Sequence, residues 1–278
     1  MVGEAQVTKA ERALVRRVGQ AIGRYGMIRD GDRVAVAVSG GKDSLSLLEA
    51  LRILQRRAPV KFWLCAFTIE QGKFLRSIEP LAEYLEKKGI PWVAFYDLPS
   101  RRLLEAVPDH GCDLCSRYRR RALYEVAAAL GVNVIALGHT ADDFCEALLR
   151  NALFIGRLVA LPPVAYSRGG DFRLIRPLVF VPETLTSEFV KAIGAPVVPC
   201  GCSQKTGTIR QAVRAIIAQL EKDFPLVKHN LLTAMSRVEL HRLLDPRYLS
   251  GLAGEGAAED ETETAVPQAG STPALREF

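Results

Sequence analysis

Six residues, Ser39-Gly-Gly-Lys-Asp-Ser44, constrain this chain more than any others. They follow the apolar run Val34 to Val38 and precede the helix-like run Leu45 to Leu54, so a buried strand turns through glycine into a helix. Such a turn presents unpaired helix N–H groups to a ligand, and the two glycines remove the Cβ atoms that would block its approach. Lys42 adds a positive charge, and Ser39 and Ser44 add hydroxyl donors. A plain strand-to-helix turn capped by Asp43 or Ser44 would need neither the glycine pair nor the lysine. The spacing also differs from the Gly-x-x-x-x-Gly-Lys-Ser/Thr phosphate loop.

The rest of the chain supplies the setting. Strands are predicted over 33–38, 61–69, 91–96 and 133–137. Helices are predicted over 10–25, 43–56, 80–88, 115–130, 142–152, 182–193, 208–224 and 225–244, with 97–111 ambiguous and 161–177 a Pro/Gly-rich crossing. Alternating strands and helices predict an α/β fold, a parallel sheet with helices on both faces, followed by a helical C-terminal region. The expected division is a basic helix over 1–28, a nucleotide-binding domain over 29–200 with the early cysteines in an insertion, a helical region over 201–250, and an acidic disordered tail over 251–278. At 278 residues and 49% hydrophobic content the chain can bury a large core. No apolar run approaches the ~20 residues of a membrane span, and the charged N-terminus has no export signal, so a cytoplasmic protein is expected.

Charge is unevenly shared. From residue 251 onward six acids face one base, so a net charge of +6 for the whole chain leaves +11 on residues 1–250. A body this basic suits a polyanion.

Six cysteines narrow the chemistry: Cys65, Cys112, Cys115, Cys145, Cys200 and Cys202. Close pairs in a chain without an export signal point to metal or redox work rather than structural disulfides. Cys112 and Cys115 stand at the start of a helix, whose positive end favours thiolates. Cys200 and Cys202 form a second pair, whereas Cys65, in a strand run, and Cys145, inside a helix, read as ordinary buried cysteines. Four thiolates would also suit zinc.

The loop resembles the pyrophosphate loop of the ATP pyrophosphatases, of the adenine nucleotide alpha hydrolase-like fold, which split ATP into AMP and pyrophosphate. Further along, Cys112-Asp-Leu-Cys115-Ser-Arg-Tyr-Arg-Arg-Arg-Ala-Leu-Tyr124, Ala136-Leu-Gly-His-Thr-Ala-Asp-Asp143, Asn151, Ile175-Arg-Pro-Leu178 and Pro199-Cys-Gly-Cys-Ser-Gln204 resemble the tRNA 2-thiocytidine synthetase family, close to the tRNA 2-thiouridine synthetases. The resemblance runs from about Ala10 to Arg237. It implies an ATP-dependent tRNA sulfurtransferase that adenylates the C2 oxygen of a pyrimidine and replaces it with sulfur. It also implies Mg²⁺ with the ATP and a [4Fe–4S] cluster held by three cysteines, which leaves one iron open to carry sulfur. Cys112 and Cys115 match the first two ligands. Cys202 is the third by its distance from Arg210-Gln211, with Cys200 as the alternative because one residue is missing between the late cysteines.

The same resemblance gives ATP binding to Ser39, Gly40, Gly41, Lys42, Asp43, Ser44, Gly138, His139 and Asp143. It gives catalytic roles to Lys42, to Asp143 as magnesium ligand or base, and to Arg119, one helical turn beyond Cys115. His139 also reads as a plain loop residue, and Asp142, together with its neighbour, as a helix cap. Candidate tRNA-backbone contacts are Arg16, Arg17, Arg117 to Arg121, Arg150, Arg157, Lys205 and Arg210. A sulfur donor (a cysteine desulfurase, a carrier protein or sulfide) and a homodimer are further implied partners. Two other classes remain at this level: a sulfur-independent loop enzyme such as a tRNA lysidine synthetase, which needs no cysteine pairs, and a non-enzymatic metal-dependent RNA-binding protein, which needs no nucleotide loop.

Overall fold

The computed structural model describes residues 2–107, 112–200 and 208–248, with the side chains of 2–8, 112 and 113 left aside. Six strands form one sheet in the order β3-β2-β1-β4-β6-β5. They are β1 (Arg33–Ala37), β2 (Trp63–Glu70), β3 (Trp92–Tyr96), β4 (Val134–Ala136), β5 (Val164–Tyr166) and β6 (Arg173–Ile175). Every pairing is parallel except the β5–β6 hairpin at the edge.

Alternation sets which residues meet which helices. Ala35, Cys65, Phe67 and Ile135 form a buried cluster with Leu123, Val126 and Ala127 of α5 (Cys112–Ala129). The helices α1 (Val2–Tyr25), α2 (Lys42–Arg57) and α7 (Glu183–Ile193) pack on one another, and α2 also lies on β1 and β2. In α1 the buried stripe is Ala10, Leu14, Val18 and Ala21, spaced as a helix requires. The expected α/β architecture is therefore present. Two further helices, α3 (Glu79–Lys87) and α4 (Leu98–Ala106), flank β3 in the chain.

The sheet reverses its winding between β1 and β4. The strands step outward from β1 to β2 to β3, and the chain then returns to the other side of β1 as β4. In such sheets ligands bind at the carboxyl ends of the strands on either side of the reversal. The described residues form two compact units, one from those within 1–144 and 161–208, the other from 145–160 and 209–248. The helix α6 (Ala141–Ile155) begins in the first and continues in the second, which also holds α8 (Ile209–Asp223) and α9 (Val227–Ser236). In the second unit Cys145, Val213 and Ile217 are buried together, with Leu149, Val227 and Leu231 packed around them.

Three local expectations are corrected. The crossing at 161–177 contains β5 and β6, joined by a turn in which Ser167 N–H donates to the Phe172 carbonyl at 2.9 Å and Gly170 has φ 82°. Strands of three residues are too short to show a period of two. The ambiguous stretch after Tyr96 holds α4, begun by Asp97, whose side chain accepts from the Ser100 N–H. The last helix stops at Ser236 instead of running to Leu244, and the residues beyond form short 3₁₀ turns at Leu240–Arg242 and Pro246–Tyr248.

Candidate nucleotide and cysteine site

At the carboxyl end of β1, Val38 N–H still donates to Phe67 of β2 at 2.8 Å, and then the chain turns. Gly40 has φ 78°, and a Cβ there would lie 2.9 Å from the Val198 carbonyl oxygen and 3.0 Å from the Phe74 ring. Glycine is required on both counts. The segment behind it is tied in place, because Val198 N–H donates to the Gly40 carbonyl at 2.9 Å and Leu75 N–H to Pro199 at 3.0 Å. Gly41 caps α2 without any side-chain hydrogen bond, so no side chain covers the first N–H groups of that helix. Ser44 Oγ donates to the Gly41 carbonyl at 2.9 Å and accepts from Ser39 N–H at 3.2 Å, which holds the loop closed on itself.

Gly138, at the end of β4, meets this turn directly. A Cβ on it would stand 2.9 Å from Ser44 N and 3.0 Å from Ser44 Cα. His139 follows, half-buried, its N–H donating to Leu137 at 3.0 Å. Thr140 then starts α6, and Asp143 Oδ2 accepts from Thr140 N–H at 2.9 Å and from its hydroxyl at 3.2 Å. Of the two neighbours that the sequence offers as cap, Asp142 and Asp143, it is Asp143 that holds the start of α6. Asp142 itself is buried and accepts from Glu183 N–H at 2.7 Å, capping α7 instead.

That contact brings in two residues that the sequence reading does not single out. Lys42 Nζ donates to Glu183 Oε1 at 2.6 Å and to Asp43 at 3.1 Å, while Thr186 Oγ donates to Asp43 Oδ1 at 2.5 Å. Burial lowers the pKa of Lys42, but Glu183 and Asp43 reverse this and leave it above the ordinary lysine value. Burial raises the Asp43 carboxyl, opposed without cancellation by Thr186 and Lys42. The lysine is thus a fixed, fully charged donor beside uncapped helix N–H groups, an arrangement that favours phosphate. Glu183 and Thr186 lie about 140 positions from the loop in sequence. Only an acid in the first turn of a helix marks Glu183 beforehand, and that is also an ordinary dipole preference.

The cysteines divide as follows. Cys112 is the first residue of α5, three positions earlier than the predicted helix start, and Cys115 is buried one turn later. Arg119 is exposed another turn on. The start of α5 lies toward the carboxyl edge, because Arg121 Nη2 donates to Ser100 Oγ at 3.2 Å and Asp97 N–H donates to Glu70, the last residue of β2, at 2.9 Å. Cys200 is half-buried and bridges to Phe74, the residue whose ring abuts Gly40. Cys202 lies outside the described residues, as does Lys205. Cys112 and Cys115 stand one turn apart at a helix start and are of the donor type that suits a soft metal or an iron–sulfur group, while among the described residues no three His, Cys, Asp or Glu side chains gather as a metal site. Cys65 and Cys145 are buried, as expected, and burial pushes the Cys65 thiol up to about 11.

Three predicted RNA contacts have partners in the protein, Arg121 being one through Ser100, Asp97 and Glu125. Arg17 donates to the Phe180 carbonyl at 2.8 Å, and Arg210 pairs with buried Glu146 at 2.7 Å, beside Arg214 on the same carboxylate. Arg117, Arg119, Arg120 and Arg150 are exposed.

A parallel sheet with a glycine turn seated at its winding reversal defines an α/β protein of the kind that takes a ligand at the carboxyl ends of its strands. Residues 235 positions long in alignment are 41% identical to the tRNA-cytidine(32) 2-sulfurtransferase of Geobacter sulfurreducens, covering 82% of this chain and 90% of that one. The enzyme of the same name from Anaeromyxobacter dehalogenans is 36% identical over 275 residues, 97% of this chain and 94% of its own. The chain belongs to the tRNA-cytidine(32) 2-sulfurtransferase family, a family of transferases. No family model matches it. Among solved structures, the U34-tRNA thiolase NcsA from Methanococcus maripaludis with its [4Fe-4S] cluster superposes with a TM-score of 0.67 at 23% identity, covering 84% of this chain and 79% of that one. That likeness is one of fold. No helix among the described residues is long and apolar enough to cross a membrane.

Proposed function

We propose that this protein uses ATP to activate the C2 oxygen of a tRNA cytidine, at the position its relatives are named for, and exchanges that oxygen for sulfur. The observation that carries the reading is the closed contact of three segments at the sheet reversal: Gly40 under Val198, Gly138 on Ser44, and Lys42 held by Glu183.

ATP lies with its phosphates over residues 39–44. The N–H groups at the start of α2 and the Lys42 ammonium take up the negative charge that grows on pyrophosphate as the C2 oxygen attacks the α-phosphate. Gly138 leaves room beside that turn. Mg²⁺ would be held by an acidic side chain, Asp143 or Asp43, and would neutralise phosphate charge. Once AMP is attached, the former carbonyl oxygen is a leaving group. Cys112, Cys115 and Cys202, with Cys200 as the alternative third ligand, would hold a [4Fe–4S] cluster, whose open iron would supply sulfide-level sulfur to take the place of that oxygen as AMP leaves. Arg119 stands one turn from Cys115 and supplies positive charge beside the activated base. Exposed arginines of α5 hold the tRNA backbone. The sulfur comes from a desulfurase, a carrier or sulfide, and the protein acts as a homodimer.

The test is anaerobic turnover with ATP, a sulfide source and two tRNA transcripts, one with cytidine at position 32 and one with uridine there. Thiolation of the cytidine transcript with release of AMP is expected. Thiolation of uridine alone would move the reading to the thiouridine enzymes, and AMP without any thiolated base would move it to a sulfur-independent loop enzyme. Iron and acid-labile sulfide, about four of each per chain for one such cluster, should be lost in Cys112→Ala and in only one of Cys200→Ala and Cys202→Ala. Zinc in their place would overturn the cluster.

A further inference from the structure

Two buried arginines of the β6 segment differ in how their charge is met. Arg173 donates to both carboxylate oxygens of Asp32 at 2.7 Å. Arg176 is only 9% exposed, yet its side chain donates to a single carbonyl, that of Pro162, at 2.6 Å; the buried Nε of each arginine has no acceptor, so the difference between them is the carboxylate that Arg173 has and Arg176 lacks. Among the described residues no carboxylate pairs with it. A buried guanidinium without a counter-ion is costly, and such a group persists where an anion from outside completes it.

Its position tells which anion. Phe172, Leu174 and Arg176 alternate along the strand and so share a face, and the Phe172 ring stacks on Tyr124 of α5 with centroids 5.7 Å apart. Arg176 therefore emerges on the α5 side, at the carboxyl end of β6. Leu137 N–H donates to Ile175 at 2.9 Å, which sets Arg176 beside the Leu137-Gly138 turn that rests on Ser44. Burial lowers the Arg176 pKa, and the charge of exposed Arg120 on α5 lowers it further, with Tyr124 opposing. Arg120 is thus a second cation near enough to act on Arg176, and among the described residues no carboxylate pairs with either. β6 is two strands from β1, roughly 10 Å at the usual strand spacing, within reach of a ligand seated on the glycine loop.

We propose that Arg176 and Arg120 form a seat for a phosphate group, supplied by the bound nucleotide or by the RNA backbone. Arg176 is the fixed member, oriented by Pro162, and Arg120 closes the seat from solvent. A guanidinium suits this task because its planar fork matches phosphate oxygens. The proposal rests on the reading of this edge as the nucleotide and RNA site.

The experiment compares the full-length wild type with Arg176→Gln, Arg120→Gln and Lys42→Ala in two separate titrations: ATP without tRNA, and tRNA without nucleotide across a salt series. Loss of a charge-assisted contact should weaken one titration about tenfold in Arg176→Gln and by less in Arg120→Gln. Weakening of ATP binding assigns the seat to the nucleotide. Weakening of tRNA binding with a salt slope smaller by about one assigns it to an RNA phosphate. Unchanged binding in both titrations by folded Arg176→Gln and Arg120→Gln overturns the seat. If Arg176→Gln does not fold, the exposed Arg120→Gln decides alone. Lys42→Ala separates the two failures, since ATP binding that survives it overturns the nucleotide reading itself.

Discussion

The two ends of the sheet treat charge in opposite ways. At the amino end, buried Asp32 accepts from Arg173, from Asn133 at 2.8 Å and from Arg29 N–H at 2.6 Å, so that residues from three segments neutralise one another. At the carboxyl end, the Lys42 ammonium is shared between Glu183 and Asp43, the first N–H groups of α2 lack a side-chain cap, and Arg176 has no acid. An acid paired within the protein holds strands together. Helix N–H groups without a capping side chain and a cation without an acid, at the carboxyl ends of the strands, suit a ligand that brings negative charge.

Breaking the amino-end cluster should produce the largest change in stability. Asp32→Ala strands a buried guanidinium and should cost about 3–5 kcal/mol in urea unfolding, with ATP affinity per folded molecule unchanged. An equal loss of ATP affinity would erase the contrast between the two ends. Lys42→Ala should do the reverse, weakening ATP binding by about 10- to 100-fold through loss of a charged hydrogen bond while leaving the urea midpoint nearly where it was.

Gly40→Ala sharpens the comparison from the backbone side. A positive φ and a Cβ 2.9 Å from the Val198 oxygen should cost about 1–3 kcal/mol, and ATP binding should fall with it because the loop must move. Gly131, also at positive φ but with nothing within 4 Å of its Cβ position, is the control and should lose less.

The smallest effect concerns Asp97, at the start of α4. Burial raises its pKa, but hydrogen bonds from Ser100 and Gln71 and the charge of Arg121 outweigh this and leave it below the ordinary 3.8. The native state then binds this proton less readily than the unfolded chain. Its stabilisation is full above the unfolded pKa and is lost as pH falls through the native one. Urea midpoints of wild type should drop across that acid window, and those of Asp97→Asn should drop less.

Much of the site was legible before the fold was known, because its centre is contiguous. Strand, glycine turn, lysine and helix occupy residues 33–57 in one piece, and the turn chemistry is local. Gly138, His139 and the paired acids were legible for the same reason, each following directly on a strand. The division of labour between Asp142 and Asp143 was not, since it depends on where α7 begins. Glu183, Thr186, Val198 and Phe74 escaped notice because nothing near them in sequence marks them as neighbours of the loop. The β5–β6 hairpin escaped because three-residue strands carry no period, and with it went the reason for Arg176.

The sequence by itself determined the alternation of strands and helices, the position of the anion-binding turn and the thiol pairs, because these depend on backbone freedom, periodicity and side-chain chemistry within a few residues. Only the tertiary structure decided that Glu183 holds Lys42, that Asp142 caps α7, that Val198 requires a glycine at position 40, and that Arg176 is left without an acid while Arg173 is not. Those outcomes depend on strand order and on which helix lands beside which strand end, and burial makes each such contact strong while no local pattern encodes it.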